Sequence, residues 1–376
     1  MILYFLIPFF AILSFLFVDC FRIKVYLFKT KSNLAIFLAF IFPFILFAFR
    51  DVSIGIDTQT YLNYLDAIQG LPFKQVIMDK TFEAGYTFFN YLVSRLPNYK
   101  FAFLILTGLI INLLYAKSIA ILSPMPLASI LIYFFICNFL YNLNTLRQGI
   151  AVGVILFSLQ YLMKGNYKKY ILLVMVACLI HTFMIIFIPI VVPVALIKER
   201  KYLIAFCATC VVLVFIALEA VHVIAQRFFP HFAYYFRHTD RFERRFGIMS
   251  LAYVLLDLFI FCLLVISYKK YTQKDAIFFL DKAECASQRS RLLNFLCIMF
   301  SLGAASLIKM NSFGIFLRIA QCFHTFLIFG IPYGIMTIKN KYIRYITLTA
   351  ILLVTFAYYF YVIVSNMYSI VPYKFG

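Results

Sequence analysis

Three arginines stand at the edges of long uncharged runs: Arg50 in "FRDVSIGIDTQTYLNYLDAI", Arg147 in "NLNTLRQGIA" and Arg318 in "LRIAQCFHTFLIFGIP". A charge at the boundary of an apolar layer is costly and raises a functional expectation. The planar guanidinium donates two parallel hydrogen bonds to phosphate oxygens, which a lysine cannot copy. Asp57 in "GIDTQTY" or His181 in "LIHTF" could take a proton from a substrate hydroxyl by its ionisation behaviour, so each is a candidate catalytic base. In "QRFFPHFAYYFRHTDRFERRFG", Arg237, Arg241 and Arg244 or Arg245 recur at helical spacing with Phe and Tyr between them. That mixture suits phosphate oxygens together with the apolar faces of sugars. Simpler roles exist for each: a lone arginine at a helix end snorkels to lipid phosphate, and a basic aromatic helix lies on anionic headgroups.

The elements that position these residues follow from composition. The 376 residues are 65% hydrophobic and 13% charged, far too apolar for a water-soluble fold. An all-α, polytopic membrane bundle is expected, embedded in the lipid bilayer as one integral membrane domain over 1–376. Charge-free runs suggest about 12 spans: 1–18, 32–49, 101–116, 127–146, 148–163, 170–181, 183–197, 202–218, 248–268, 292–308, 319–338 and 345–364. The first run has neither a basic leader nor a small-residue cleavage site, so it is expected to remain a span. The run at 170–197 must be broken, and Pro189 and Pro193 favour the break.

Orientation comes from the loops. Placing the basic loops in the cytoplasm assigns 20 of the 34 lysines and arginines to that side, including the 269–291 loop. The segment 50–100 is then external, with Glu83 to Pro97 as a re-entrant or interfacial helix, and so is the large basic and aromatic loop 219–247. Both termini come out external. Arg50, Arg147 and Arg318 share one membrane level on the outer side, a convergence that scattered snorkelling does not favour. Asn144 and Gln148 are the expected holders of Arg147, and Asp257, in the middle of a span, needs an internal partner or a proton. The net charge of +20 is accounted for by the short basic loops, so nucleic acid is not expected as a partner. No Asp-x-Asp motif, metal-ligand cluster or disulfide framework is visible, so neither metal nor cofactor is expected.

Arg50 with "GIDTQTYLNY", then "FEAGYTFFNYLV", then "LRQGIAVGVILFSLQYLMKGNYKKYILLVMVACLIHTFMIIFIP", a later "LRIAQCF" and a terminal "VPYK" resemble the EpsG-like branch of Wzy polymerases. The likeness runs from Arg50 to Lys374, and its most specific part is 146–189. It implies a multi-pass enzyme of the bacterial inner membrane with its active site facing the periplasm or exterior. The implied reaction joins undecaprenyl-pyrophosphate-linked oligosaccharide repeat units of O-antigen, capsule or exopolysaccharide, with undecaprenyl pyrophosphate leaving. A flippase and a chain-length regulator of the same pathway are the implied protein partners. Under this reading Arg50, Arg147, Arg237, Arg241, Arg244, Arg245 and Arg318 would bind pyrophosphate and sugar, and Asp57 or His181 would serve as base. An O-antigen ligase uses the same donor chemistry, and a flippase would carry the same lipid-linked oligosaccharide. Both stay open as alternatives.

Overall fold

The computed structural model describes residues 1–20, 30–228, 247–268, 282–309 and 315–376. Among these it holds seventeen α-helices, one 3-10 helix and no strand, the all-helical fold that long apolar runs dictate where every backbone group must be satisfied internally. The loop arginines Arg237, Arg241, Arg244 and Arg245 lie outside the described residues. By length and apolarity six described helices can cross a membrane, or eight if each of two bent pairs counts as one span. The count of twelve goes beyond this.

The chain forms two compact units, one made of 1–161, 166–188 and 345–376, the other of 162–165 and 189–344. In the first unit α1 (Ile2–Cys20) packs on α2 (Lys31–Ala48), and α2 packs on α6 (Tyr99–Leu122). The side chain of Thr30 caps α2 by accepting the Asn33 N–H at 3.2 Å. Between α2 and α6 lie three short helices, α3 (Thr58–Ile68), α4 (Phe73–Met78) and α5 (Ala84–Val93). The last is ten residues long, too short to cross a bilayer, as expected for the Glu83 segment.

The run expected as a straight span at 127–146 is instead two helices, α7 (Pro126–Phe135) and α8 (Asn138–Asn144), bent by 52°. Cys137 makes the corner with φ +63°, a conformation its residue type does not announce. Next come α9 (Leu146–Met163) and α10 (Tyr167–Ile180). Gly149 and Gly153 lie four apart on α9, and a Cβ at Gly153 would stand 3.1 Å from Leu114 on α6. Small residues at this spacing let helix backbones approach where no water drives them together. After α10 the chain breaks into a 3-10 helix, Thr182–Phe187, and α11 (Val191–Leu196), the interruption that Pro189 and Pro193 predict.

In the second unit α14 (Lys282–Lys309) is the central helix, packed by α11, α12 (Arg200–Phe228), α13 (Ile248–Ile266) and α15 (Ile315–His324). It begins inside the segment expected as a cytoplasmic loop. A Cβ at Gly330 on α16 (Leu327–Met336) would fall 2.1 Å from the Phe300 ring, so only glycine fits. The last helix, α17 (Lys341–Val364), returns to the first unit, where Tyr359 donates its hydroxyl proton to the Tyr4 carbonyl at 2.7 Å.

Candidate active site

The centre of the site is Glu83, just ahead of α5. Its backbone is extended (φ −62°, ψ 148°) and its carboxylate does not cap its own helix, leaving it to serve groups from elsewhere. Gly85 brings it to them: a Cβ there would stand 2.8 Å from the Leu179 Cβ and 2.9 Å from the Leu179 carbonyl oxygen. Only with glycine does α5 press this closely on the end of α10. That end is His181, where the chain turns extended (φ −151°, ψ 106°) and the next backbone N–H is released from the helix ladder. Thr182 donates this N–H to Glu83 Oε1 at 2.9 Å and its hydroxyl to the same oxygen at 3.3 Å. His181 Nδ1 lies 3.4 Å from that oxygen as well.

The other carboxylate oxygen, Oε2, is held by Nη1 of Arg147, the second residue of α9. The guanidinium carbon sits 4.8 Å above the centre of the Phe82 ring, and the guanidinium Nε is buried with no hydrogen-bond partner. Phe82 is boxed by tyrosines, with Tyr64 at 4.7 Å, Tyr86 at 5.4 Å and Tyr61 at 5.9 Å between ring centres. Burial pushes the Glu83 carboxyl up, but the His181 hydrogen bond, the Arg147 charge and the Thr182 N–H outweigh it and hold its pKa at about 2. Glu83 is therefore ionised throughout the neutral range. Side-chain exposures of 18–23% across Glu83, Arg147 and His181 leave the cluster reachable.

The structure thus joins two expected residues, Arg147 and His181, through a third that sequence reasoning passed over. Asn144 and Gln148, the expected holders of Arg147, direct their side-chain oxygens elsewhere. Asn144 accepts the Ile56 N–H at 2.5 Å, and Gln148 accepts the Tyr141 hydroxyl at 3.1 Å. The one signal for Glu83 was a carboxylate at the head of an apolar helix with glycine two residues on.

Arg50 belongs to a different arrangement. It is 1% exposed, with Nη2 3.5 Å from the Thr58 hydroxyl and its guanidinium carbon 4.5 Å over the Phe47 ring. The backbone beside it pairs with the segment at 374–376: Asp51 N–H donates to Lys374 at 2.9 Å and Gly376 N–H to Phe49 at 3.1 Å. Burial lowers the Arg50 pKa to about 10, so it remains a cation at neutral pH, with Nε and Nη1 buried and unbonded. Asp57 starts α3, the helix that carries Tyr61 to Phe82 and Tyr86. Arg318 is half-buried on α15 in the second unit. Asp257 has the internal partner its position requires, His324 Nε2 at 2.6 Å. Among the described residues no three His, Cys, Asp or Glu side chains gather into a metal-sized group.

The model of the EpsG family matches residues 33–375. The chain belongs to the EpsG family. No curated protein and no solved structure matches it. Membership identifies a multi-pass membrane protein of polysaccharide biosynthesis, of a polymerase-like, glycosyltransferase kind. The match includes all of Glu83, Arg147 and His181, so the cluster is part of the EpsG region of the chain.

Proposed function

We propose that this EpsG-family protein polymerises lipid-linked oligosaccharide repeat units, working in the bacterial inner membrane with its site turned to the periplasm or exterior. The observation that carries the reading is one carboxylate, Glu83, engaging a cation and an imidazole at once, beside an aromatic wall. The ionised carboxylate accepts the Nδ1 proton of His181, which fixes the tautomer and leaves Nε2 as proton acceptor. An acceptor sugar hydroxyl gives its proton to Nε2 while its oxygen attacks the anomeric carbon of the donor. The bond from that carbon to the pyrophosphate oxygen breaks, and the electron pair leaves on undecaprenyl pyrophosphate.

Arg147 meets the charge that develops on the departing pyrophosphate. Its Nη1 is fixed by Glu83, and the side chain, about a fifth exposed, keeps a cation within reach of the departing group. Phe82, half-buried beside the cluster, offers a flat apolar face to a sugar ring, with Tyr61 and Tyr64 buried against it. Arg50 ties the end of α2 to Thr58 and to 374–376, which suits a positioning role more than a grip on pyrophosphate. Asp57 is the second candidate base.

The test is a surface-polysaccharide gel from a strain lacking the gene. The reading expects loss of the ladder with single-repeat material retained, restored by the wild-type chain and not by His181→Ala. Loss of all attached polysaccharide would identify a ligase, and intracellular build-up of the lipid-linked repeat would identify a flippase.

A further inference from the structure

Arg147 is the second residue of α9, and a single residue, Thr145, separates α9 from α8. The start of α9 therefore goes where the end of α8 is held. Two side chains hold it. Asn144, the last residue of α8 and only 4% exposed, accepts the Ile56 N–H from the loop between α2 and α3 and donates Nδ2 to the Leu140 carbonyl of its own helix at 3.2 Å. Tyr141, one helical turn earlier, sends its hydroxyl across the turn to Gln148, the neighbour of Arg147 on α9.

Both struts lead to one frame, the segment 366–371. The Ser369 carbonyl accepts the Gly55 N–H at 3.1 Å, beside the Ile56 that Asn144 holds, and the Tyr368 ring stands edge-on to the Tyr141 ring at 6.1 Å. Asn366 stiffens this segment, its Oδ1 accepting the N–H groups of Ile370 and Val371 at 2.8 and 2.9 Å. The loop before α3 is fitted as closely. Gly55 has φ +93°, and a Cβ there would stand 2.8 Å from the Thr58 hydroxyl and 3.0 Å from the Leu143 carbonyl oxygen, so glycine alone lets the loop reach Asn144. The Thr58 hydroxyl accepts from Arg50 and donates to the Ile54 carbonyl at 2.8 Å. All these residues belong to the first unit.

We propose that Asn144 and Tyr141 are positioning residues for Arg147, carrying the placement of the 366–371 segment across the α8–α9 turn so that the guanidinium meets Glu83. Their effect on turnover rests on the polymerase reading; their effect on Arg147 does not. Glu83 grips one nitrogen at the tip of a long side chain, which leaves the backbone beneath it to be fixed by other groups. The tolerance is small, since a misplacement of about 1 Å costs about a hundredfold in rate.

The full chain in detergent is treated with phenylglyoxal, which modifies guanidinium groups, and each arginine is read by peptide mass spectrometry. Wild-type Arg147, 21% exposed and paired with Glu83, should react slowly, and Glu83→Gln sets the rate of an unpaired Arg147. Asn144→Ala, and Tyr141→Phe, which removes one hydroxyl and keeps the ring, should each raise the Arg147 rate severalfold toward that limit. Arg50, 1% exposed in the same unit, should stay unreacted throughout. Ser365→Ala, at the exposed end of α17, should change neither. At equal membrane protein the ladder should fall about tenfold in Asn144→Ala, a fraction of the cost of full misplacement. Adding Tyr141→Phe to Arg147→Lys should leave the ladder where Arg147→Lys alone puts it, because residues that act through one another do not add. An unchanged Arg147 rate in both variants overturns the proposal, and so does a rise that Arg50 shares, which would mean general loosening. Labelling needs no turnover, so the two readings fail separately. A faster Arg147 in these variants, with a full ladder made when the gene is deleted, keeps the positioning and sinks the polymerase. A ladder lost on deletion, with the Arg147 rate unchanged in both variants, does the reverse.

Discussion

Two of the ionisable clusters among the described residues, one in each unit, are built on opposite plans. Glu83, Arg147 and His181 come from helix ends, keep 18–23% of their side chains exposed, and divide one carboxylate among several donors. Asp257 and His324 form a single 2.6 Å contact, with exposures of 1% and 8%. Tyr253 stacks on the imidazole at 5.1 Å, and a Cβ at Gly303 would stand 3.2 Å from His324 Nε2 and 3.3 Å from Asp257 Oδ2. The sealed pair is closed off from solvent, whereas about a fifth of each side chain in the open cluster is exposed. Buried charge alone does not mark a site of chemistry. What marks it is a set of charged and titratable groups at a place a substrate can reach.

The largest effect expected from this contrast is on the sealed pair. Removing one member strands the other in an apolar interior, which typically costs about 3–5 kcal/mol. His324→Ala should therefore lower the yield of folded protein and its melting temperature in detergent sharply. The double change Asp257→Leu with His324→Leu should recover most of both, since an apolar pair of similar volume often replaces a buried ion pair without loss. If His324→Ala melted like wild type and only lost polymer, the pair would belong to the catalytic machinery and the contrast would fail.

Next in size is Arg147. Removing a charged donor aimed at a developing negative charge costs on the order of a hundredfold in rate, so Arg147→Ala should leave the protein in the membrane with the ladder nearly gone. Arg147→Lys keeps the charge and loses the fork, and should fall between the two. Quantifying ladder intensity against membrane protein on an immunoblot checks it. A full ladder at unchanged rate would return Arg147 to the role of a helix-end cation.

The two clusters were also unequally legible. That Asp257 needed a partner follows from its place in mid-span, but which partner does not, because His324 is 67 residues away and no local pattern couples them. Arg147 and His181 stood out because each interrupts an apolar run. Glu83 did not, because it lies 64 and 98 residues from its partners and looks locally like an acid at the start of a short helix. The break near Pro189 was readable because proline lacks an N–H. The 52° bend at Cys137 was not, because neither glycine nor proline is there.

The smallest expected effect tests the hydrogen bonds on Glu83 directly. Its pKa in the fold, about 2, lies below the 4.5 of a free glutamate. A carboxyl with a depressed pKa contributes stability that is fully present above the unfolded value and is lost as pH falls through the folded one. The window is therefore from about pH 4.5 down to about pH 2. Glu83→Gln keeps the shape of the side chain and removes the charge, so its melting temperature should not share that part of the acid dependence. Melting both proteins in detergent from pH 6 to pH 3 should give curves that run parallel down to about pH 5 and converge below it, as the wild type loses what the variant never had. At neutral pH the same variant should keep the protein in the membrane but weaken the ladder. Glutamine can still accept from Nδ1, yet it no longer stabilises an imidazolium or balances Arg147. Curves that stayed parallel to pH 3 would mean that Glu83 gains nothing from Arg147, His181 and Thr182 in the folded protein, and the cluster would then be three neighbours with no shared charge.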